Sequence, residues 1–332
     1  MSNKMRRLIT LATVLAFFCA PVAPAFARAF TSRSYWNTPL DAHGIAPVDP
    51  HSAEYIRDSM DAAHTRNYLN LVASDWSTPV FYSHQSDPTY TITPLNHSTR
   101  SVTLHIPASA QASAPNTVVV FDASTNQAVG LWNASYTGRK WHADGFDRYY
   151  LDSQGLAEKA GGRAGNVGHR GIPAAERVVR RRELKAGAIR HRLSCYWWGT
   201  GVKYANHYFP MYEDEGDQGG IVPEGITVRI RRGVHLKALG LRHAALTIAR
   251  AIKKYGCVVG DNSGSGNNLK IQAGVLIAKD ALASIPWSKY QFVKGGYNPA
   301  TGHVKAPSAG LAKLQAPPII NAMSWIGLAS PR

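Results

Sequence analysis

Acidic residues are in short supply in this chain. Against 37 Lys and Arg stand only 21 Asp and Glu, a formal charge of +16. Such an excess leaves the fold undetermined but gathers anionic partners. Cysteine is almost absent, with three in 332 residues. A dense disulfide framework is therefore excluded, and beyond Cys19 only Cys195 and Cys257 remain to form one bridge. Long apolar runs are missing as well. Leu8–Phe18 is too short to cross a bilayer, so no membrane span is expected. The chain has no Gly-x-Ser-x-Gly elbow, no phosphate loop ending in Gly-Lys-Ser/Thr, no His-Glu-x-x-His helix and no dinucleotide fingerprint in context. These absences remove the commonest serine-hydrolase, nucleotide-binding, zinc-peptidase and dehydrogenase readings.

The first 27 residues have the make-up of a secretory signal. Lys4, Arg6 and Arg7 precede the apolar run, and Ala25-Phe26-Ala27 is a small-x-small cleavage site. The mature chain is expected to start at residue 28, secreted or periplasmic, and to lose three of its positive charges. In an oxidising compartment Cys195 and Cys257 are expected to pair. Residues 28–332 are read as a single domain.

Residues 30–50 read as an aromatic, proline-rich lead-in lying across the core. From Ser77 the pattern becomes short β-forming runs with turn residues between them, near 78–84, 89–94, 100–106, 116–122 and 128–137. Consecutive strands with short connections predict a mainly β fold, an antiparallel sandwich or jelly roll. Pro173 opens a short helix that ends before Gly187. In the strand 189–198, Ile189, His191, Leu193, Cys195 and Trp197 share one face. Ile226, Val228 and Ile230 alternate with Thr227, Arg229 and Arg231, which predicts a half-buried strand with a cationic outer face. Leu241–Tyr255 is the clearest helix, with an apolar stripe through Ala245, Ile248 and Ile252, and Gly256 to stop it. The tail from Ala306 is rich in Pro and Ala.

Groups able to move protons or neutralise anions crowd between Trp141 and Cys195. His142, Asp144 and Asp147 come first, then Tyr150. The glycine-rich loop 161–171 carries His169 and Arg170, a titratable ring beside a fork of donors for a carboxylate. Its order, Gly-His-Arg-Gly, is not the Asp-Arg-Gly-His of one group of nucleases. Arg182 and Glu183 follow on a helix whose apolar side could turn either inward. His191, on the apolar face of its strand, reads as a core histidine. The acidic loop 213–217 offers oxygen ligands for Ca²⁺ but lacks the twelve-residue EF-hand spacing. Asp261 and Asn262, on the last glycine loop, suit sugar hydroxyls.

In general make-up the chain resembles exported carbohydrate-active β-sandwich enzymes. The function expected is cleavage of an acidic, uronate-containing glycan by β-elimination, on a monomer that needs no cofactor. His142 or His169 would act as base, Tyr150 would return the proton, and Arg170 would stabilise the enolate-like state. Arg182, Asp144, Asp147, Arg229, Arg231 and Asn262 would hold the polymer. One alternative is a glycoside hydrolase using two carboxylates among Asp144, Asp147, Glu183 and Glu224. Another is a glycan or envelope binder without catalysis. Nucleic acid is the weaker partner.

Overall fold

The structure is a computed structural model that describes residues 28–60, 66–74, 76–95, 101–110, 117–160, 162 and 169–307. The expected signal segment, most of the glycine-rich loop and the C-terminal tail beyond 307 lie outside the described residues.

Among the described residues three α-helices occur, α1 (Ser52–Ser59), α2 (Arg181–Ala186) and α3 (His243–Lys254). The strands begin with β1 (Asn70–Val72), β2 (Val80–Ser83), β3 (Thr89–Ile92), β4 (Val102–His105) and β5 (Val118–Asp122). Next come β6 (Gln127–Trp132), β7 (Ser135–Thr137), β8 (Lys140–His142), β9 (Gly145–Tyr150) and β10 (Leu193–Trp198). The last are β11 (Thr227–Ile230), β12 (Cys257–Ser263), β13 (Asn268–Lys270), β14 (Tyr290–Val293), β15 (Tyr297–Asn298) and β16 (His303–Val304). The mainly β, few-helix reading of the sequence is what the chain adopts.

Two sheets dominate. One has six strands in the order β1-β13-β10-β12-β11-β14, the other four in the order β2-β5-β6-β9. Pairing is mixed rather than purely antiparallel. β10 runs parallel to β12, β1 to β13 and β2 to β5. The reason is visible in the connections. Chain leaving β10 passes through a long loop, β11 and α3 before β12, and a long crossover of that kind returns a strand in the same direction.

Alternation assigns the faces. Val119 and Phe121 of β5 face inward with Ala128 and Tyr149, and are joined by Val258 of the larger sheet. Val118 and Val120 face outward with Val129, Leu131 and Phe146, under the β3–β4 and β7–β8 hairpins. The inner layer is filled by Tyr35 and Trp36 of the lead-in and by Ile172, Ala174, Ala175 and Val178. On the far side of the larger sheet, Leu193, Cys195, Trp197, Cys257 and Val259 pack with Ala245, Ile248 and Ile252 of α3. Ile248 and Ile252 are fully buried, each contributing about 1.5–3 kcal/mol by removal from water.

Three expectations are corrected. Cys195 and Cys257 are free, buried thiols on neighbouring strands, not a disulfide. The Cys195 Sγ donates to the Val258 carbonyl at 3.4 Å, and burial pushes the Cys257 thiol up. Next, the expected cationic outer face is divided, because Arg229 lies in β11, all four of whose residues are buried, whereas Arg231 follows the strand and is exposed. Arg229 reaches back to Asp41 at 2.8 and 3.1 Å, and the Arg231 Nε donates to the Tyr290 carbonyl at 2.8 Å. Last, the helix after Pro173 is broken. A 3₁₀ turn covers Ala174–Glu176, and α2 starts only at Arg181, ending at left-handed Gly187.

Candidate functional site

Three segments meet at one end of the β11–β12 pair. Residues 169–177 come from the inner layer, 207–225 form the loop before β11, and 257–263 are β12. Main-chain bonds lock them together. Tyr212 N donates to the Arg170 carbonyl at 3.0 Å, Tyr208 N to the Glu224 carbonyl at 2.9 Å, and Gly225 N to the Val259 carbonyl at 2.7 Å. Gly225 has φ +84°, and a Cβ there would lie 1.9 Å from the Tyr208 carbonyl oxygen, so only glycine allows this approach.

A bulge in β12 aims the key acid. Cys195 pairs with Val259, but the next residue, Tyr196, pairs with Asp261. Gly260 is the extra residue. Strict alternation would place Asp261 on the apolar side with Cys257 and Val259. The bulge turns it to the side of Tyr196 instead. Gly260 fits because a Cβ there would stand 2.3 Å from the Ser194 hydroxyl.

Around Asp261 the charges converge. Ligating oxygens of Glu215, Glu224 and Asp261 all lie within 4.8 Å of one another. Arg170 binds all three, at 3.0 Å to Glu215, 3.3 Å to Glu224 and 3.1 Å to Asp261. Arg177 adds a second bond to Asp261 at 2.8 Å and lies over the Tyr196 ring, 5.2 Å from its centroid. Lys270 Nζ stands 4.3 Å from the centroid of the same ring. Arg170 takes a left-handed φ of +52°, a strained backbone for a non-glycine residue. The acidic loop is shaped by Asp214, which pairs with His207 at 2.8 Å and accepts from Gly216 N at 2.8 Å.

Three carboxylates against two guanidiniums leave one negative charge in excess, so the cluster favours an extra proton. Burial pushes the Glu224 carboxyl up to about 7, helped by the charges of Asp261 and Glu215 and opposed by Arg170. Burial and Asp261 also raise Glu215, which shares a hydrogen bond with Asp261. Glu224 is sealed, with its side chain 1% exposed, whereas Glu215 is 31% exposed and marks the open side. The arrangement can hold a proton near neutral pH beside ionised carboxylate. Its oxygens are also the donor set for a hard divalent cation, but Arg170 already occupies them. Of the acidic loop thought able to bind Ca²⁺, only Glu215 joins. Glu213 pairs with Lys159, and Asp217 accepts from Gly219 N.

Of the residues chosen from sequence, Arg170, Glu224 and Asp261 meet here and Glu215 of the acidic loop joins them, while the others are scattered. Arg170 lies at the centre, though bound to carboxylates rather than open to a substrate carboxylate. His142 is on the β7–β8 hairpin, over the outer face of the four-stranded sheet. Tyr150 ends β9, with the Arg148 guanidinium 5.5 Å from its ring centroid. By alternation both belong to the side away from Arg170. His169 opens the 169–171 turn, and its side chain is outside the described residues. Asp144 accepts from Asn133 Nδ2 at 2.6 Å in a turn. Asp147 is buried and accepts from Gly130 N and Ala174 N, a clamp between β6 and the inner layer, with burial pushing it up to about 7. Arg182 stacks on Tyr82, 3.9 Å from the ring centroid. Asn262 accepts from Thr200 N at 3.4 Å, next to the cluster.

Glu183 belongs to another, wholly buried group. It pairs with Arg180 and, at 2.7 Å, with His191 Nε2, while Glu176 pairs with His191 Nδ1. His191 is the core histidine its strand position suggested. Sequence reasoning missed Arg177. Its signal was a charge inside the apolar run Ile172–Val179, where only a buried partner could satisfy it.

No family model matches the chain, and neither the curated proteins nor the solved structures compared with it give a match.

Proposed function

We propose that this chain is an exported glycan-degrading enzyme whose chemistry resides in Glu215, Glu224 and Asp261. The observation that carries the reading is a sealed carboxyl, Glu224, raised to about 7 beside two further carboxyl groups. That is the pairing a glycosidase needs, one group protonated and one ionised at the same pH. Substrate entering from the exposed side displaces the Glu215 side chain from Arg170 and so reaches the otherwise sealed Glu224, which gives its proton to the leaving glycosidic oxygen. The ionised member of the Glu215–Asp261 pair bonds to the anomeric carbon. Water, losing its proton to Glu224, then releases the sugar and restores the carboxylate. Oxygens within 4.8 Å fit the close ~5 Å spacing of this double displacement, not the ~6.5–9.5 Å of direct inversion. Arg170 and Arg177 hold the three acids together. Substrate approaches from the Glu215 side. The chain's positive charge supports an acidic glycan as the substrate.

Elimination from a uronate is the second reading, favoured by Tyr196. Arg177 and Lys270 stand over its ring, cations able to neutralise a uronate carboxylate.

One assay separates these. The purified chain is incubated with uronate-containing and neutral polysaccharides. Hydrolysis releases reducing ends with no ultraviolet-absorbing double bond and with retained anomeric configuration. A rising double-bond absorbance selects elimination instead. Polymer retained on a column of the protein but never shortened overturns both.

A further inference from the structure

The far end of the β11–β12 pair carries the opposite charge. Glu224 precedes β11 and Asp261 lies late in β12, while the turn leaving β11 meets the end of α3 just before β12 begins. From Asp261 back to Cys257, where β12 begins, the strand rise gives ~13 Å. At that far end is a cleft of about 660 Å³, lined by Asp41, Arg229, Arg232, Lys237, Arg250, Lys253 and Lys254 among others. Its volume is that of a small-ligand site.

Two of these cations form the floor. Arg229 is fixed by Asp41 and by the Lys253 carbonyl, and Lys253 Nζ donates to the Val234 carbonyl at 2.8 Å. The other four, Arg232, Lys237, Arg250 and Lys254, are exposed. Arg232 stands 3.6 Å from an Asp41 oxygen that Arg229 already shares. Lys237 and Arg250 have no carboxylate partner among the described residues. Lysines at the end of α3 answer its dipole, which accounts for Lys253 and Lys254. It does not account for Arg232 and Lys237, which come from the chain between β11 and α3.

We infer that this cleft binds an acidic oligosaccharide, as a site separate from the carboxylate cluster. Arg232 and Arg250 offer planar forks that match carboxylate or sulfate groups. The Asp41 carboxylate, 31% exposed, can accept hydrogen bonds from hydroxyls. A ligand rich in both acid groups and hydroxyls satisfies the two together. Single-stranded nucleic acid is the poorer match, because the lining holds no Trp, Tyr or Phe, and the imidazole of His235 is its single ring for bases to stack on. The inference needs no turnover at Glu224. It supplies a place where a long acidic polymer is held while another stretch is presented elsewhere.

The test is equilibrium binding of a fluorescent oligogalacturonate to the full chain carrying Glu224→Gln, so that the probe is not consumed. Binding is expected to weaken with added salt. Two separate double variants, Arg232→Gln with Lys237→Gln and Arg250→Gln with Lys254→Gln, should each weaken it about tenfold or more. Both pairs are exposed, and an unchanged melting curve confirms folding. Variants that bind as tightly as the parent overturn the site. So does a neutral oligosaccharide of equal length, or an oligonucleotide, that binds better than the oligogalacturonate. Because no cleavage is measured, failure here is distinct from failure of the hydrolase reading.

Discussion

Two clusters in this molecule are built from nearly the same side chains and behave differently. Glu176 and Glu183 meet Arg180 and His191, two acids with two cations. Every one of those side chains is at most 4% exposed. Glu215, Glu224 and Asp261 meet Arg170 and Arg177, three acids with two cations, with one side open at Glu215. In the first, the acids and cations balance. Arg180 and His191 hold Glu183 well below the usual carboxylate range, and Glu176 and Glu183 push His191 up to about 9. In the second, the uncompensated charge falls on the most deeply buried acid, and Glu224 rises to about 7. One extra carboxylate separates a structural cross-link from a group that can exchange protons at neutral pH.

Substitution of the acids should separate the two clusters most sharply. Glu224→Gln is expected to lower glycan cleavage by about 10²–10⁴-fold, the contribution of a general acid. Stability at pH 7 should change by no more than ~1 kcal/mol, because the neutral amide replaces a carboxyl that is half protonated there. As an acid, Glu224 must carry its proton, so turnover should fall as pH rises through about 7. Equal turnover by the variant would remove Glu224 from the chemistry. Glu183→Ala should do the reverse. It leaves Arg180 buried without its carboxylate and should cost about 3–5 kcal/mol in denaturant unfolding. Activity per folded molecule should be unchanged.

Proton linkage sharpens the contrast at smaller amplitude. His191 has a folded value raised from the ordinary 6.5 to about 9. Its contribution is therefore fully present below about pH 6.5 and is lost as pH rises through about 9, on the order of 3 kcal/mol. Melting temperatures followed from pH 6 to 10 should show this fall, and His191→Gln should flatten it. Smallest is the bulge that serves the open cluster. Gly260→Ala drives a methyl against the Ser194 hydroxyl, at about 1–3 kcal/mol. Adding Ser194→Gly should recover most of the loss in a thermal melt, and failure to recover would place the clash elsewhere.

Much of the fold was legible in the chain. The β-forming run Val118–Phe121 and the helical stripe through Ala245, Ile248 and Ile252 are local patterns, and local patterns are enough to predict a strand and to give a helix its buried side. The site was much less legible. Arg170 was singled out for its loop, but as a group for substrate rather than as the clamp on three acids. His142 and Tyr150 sat close to it in sequence and ended on the other side of a sheet. Arg229 read as part of a solvent face with Arg231, which is exposed, because alternation cannot tell whether a polar strand position is later covered. Parallel pairing of β10 with β12 was hidden for a related reason, since residues 199–256 separate strands that touch.

By itself the sequence determined a mainly β chain with one strong amphipathic helix, a cationic surface and too few cysteines to staple it. Those properties follow from composition and from periods of two and 3.6 residues, which act over a few neighbours. Only the tertiary structure decided which charges would share a neighbourhood. Glu215, Glu224 and Asp261 lie on a loop, before a strand and beyond a bulge, and their oxygens meet because a glycine lets β12 shift by one residue. Protonation then follows from the sum of nearby charges and from burial, and both are properties of the packed chain.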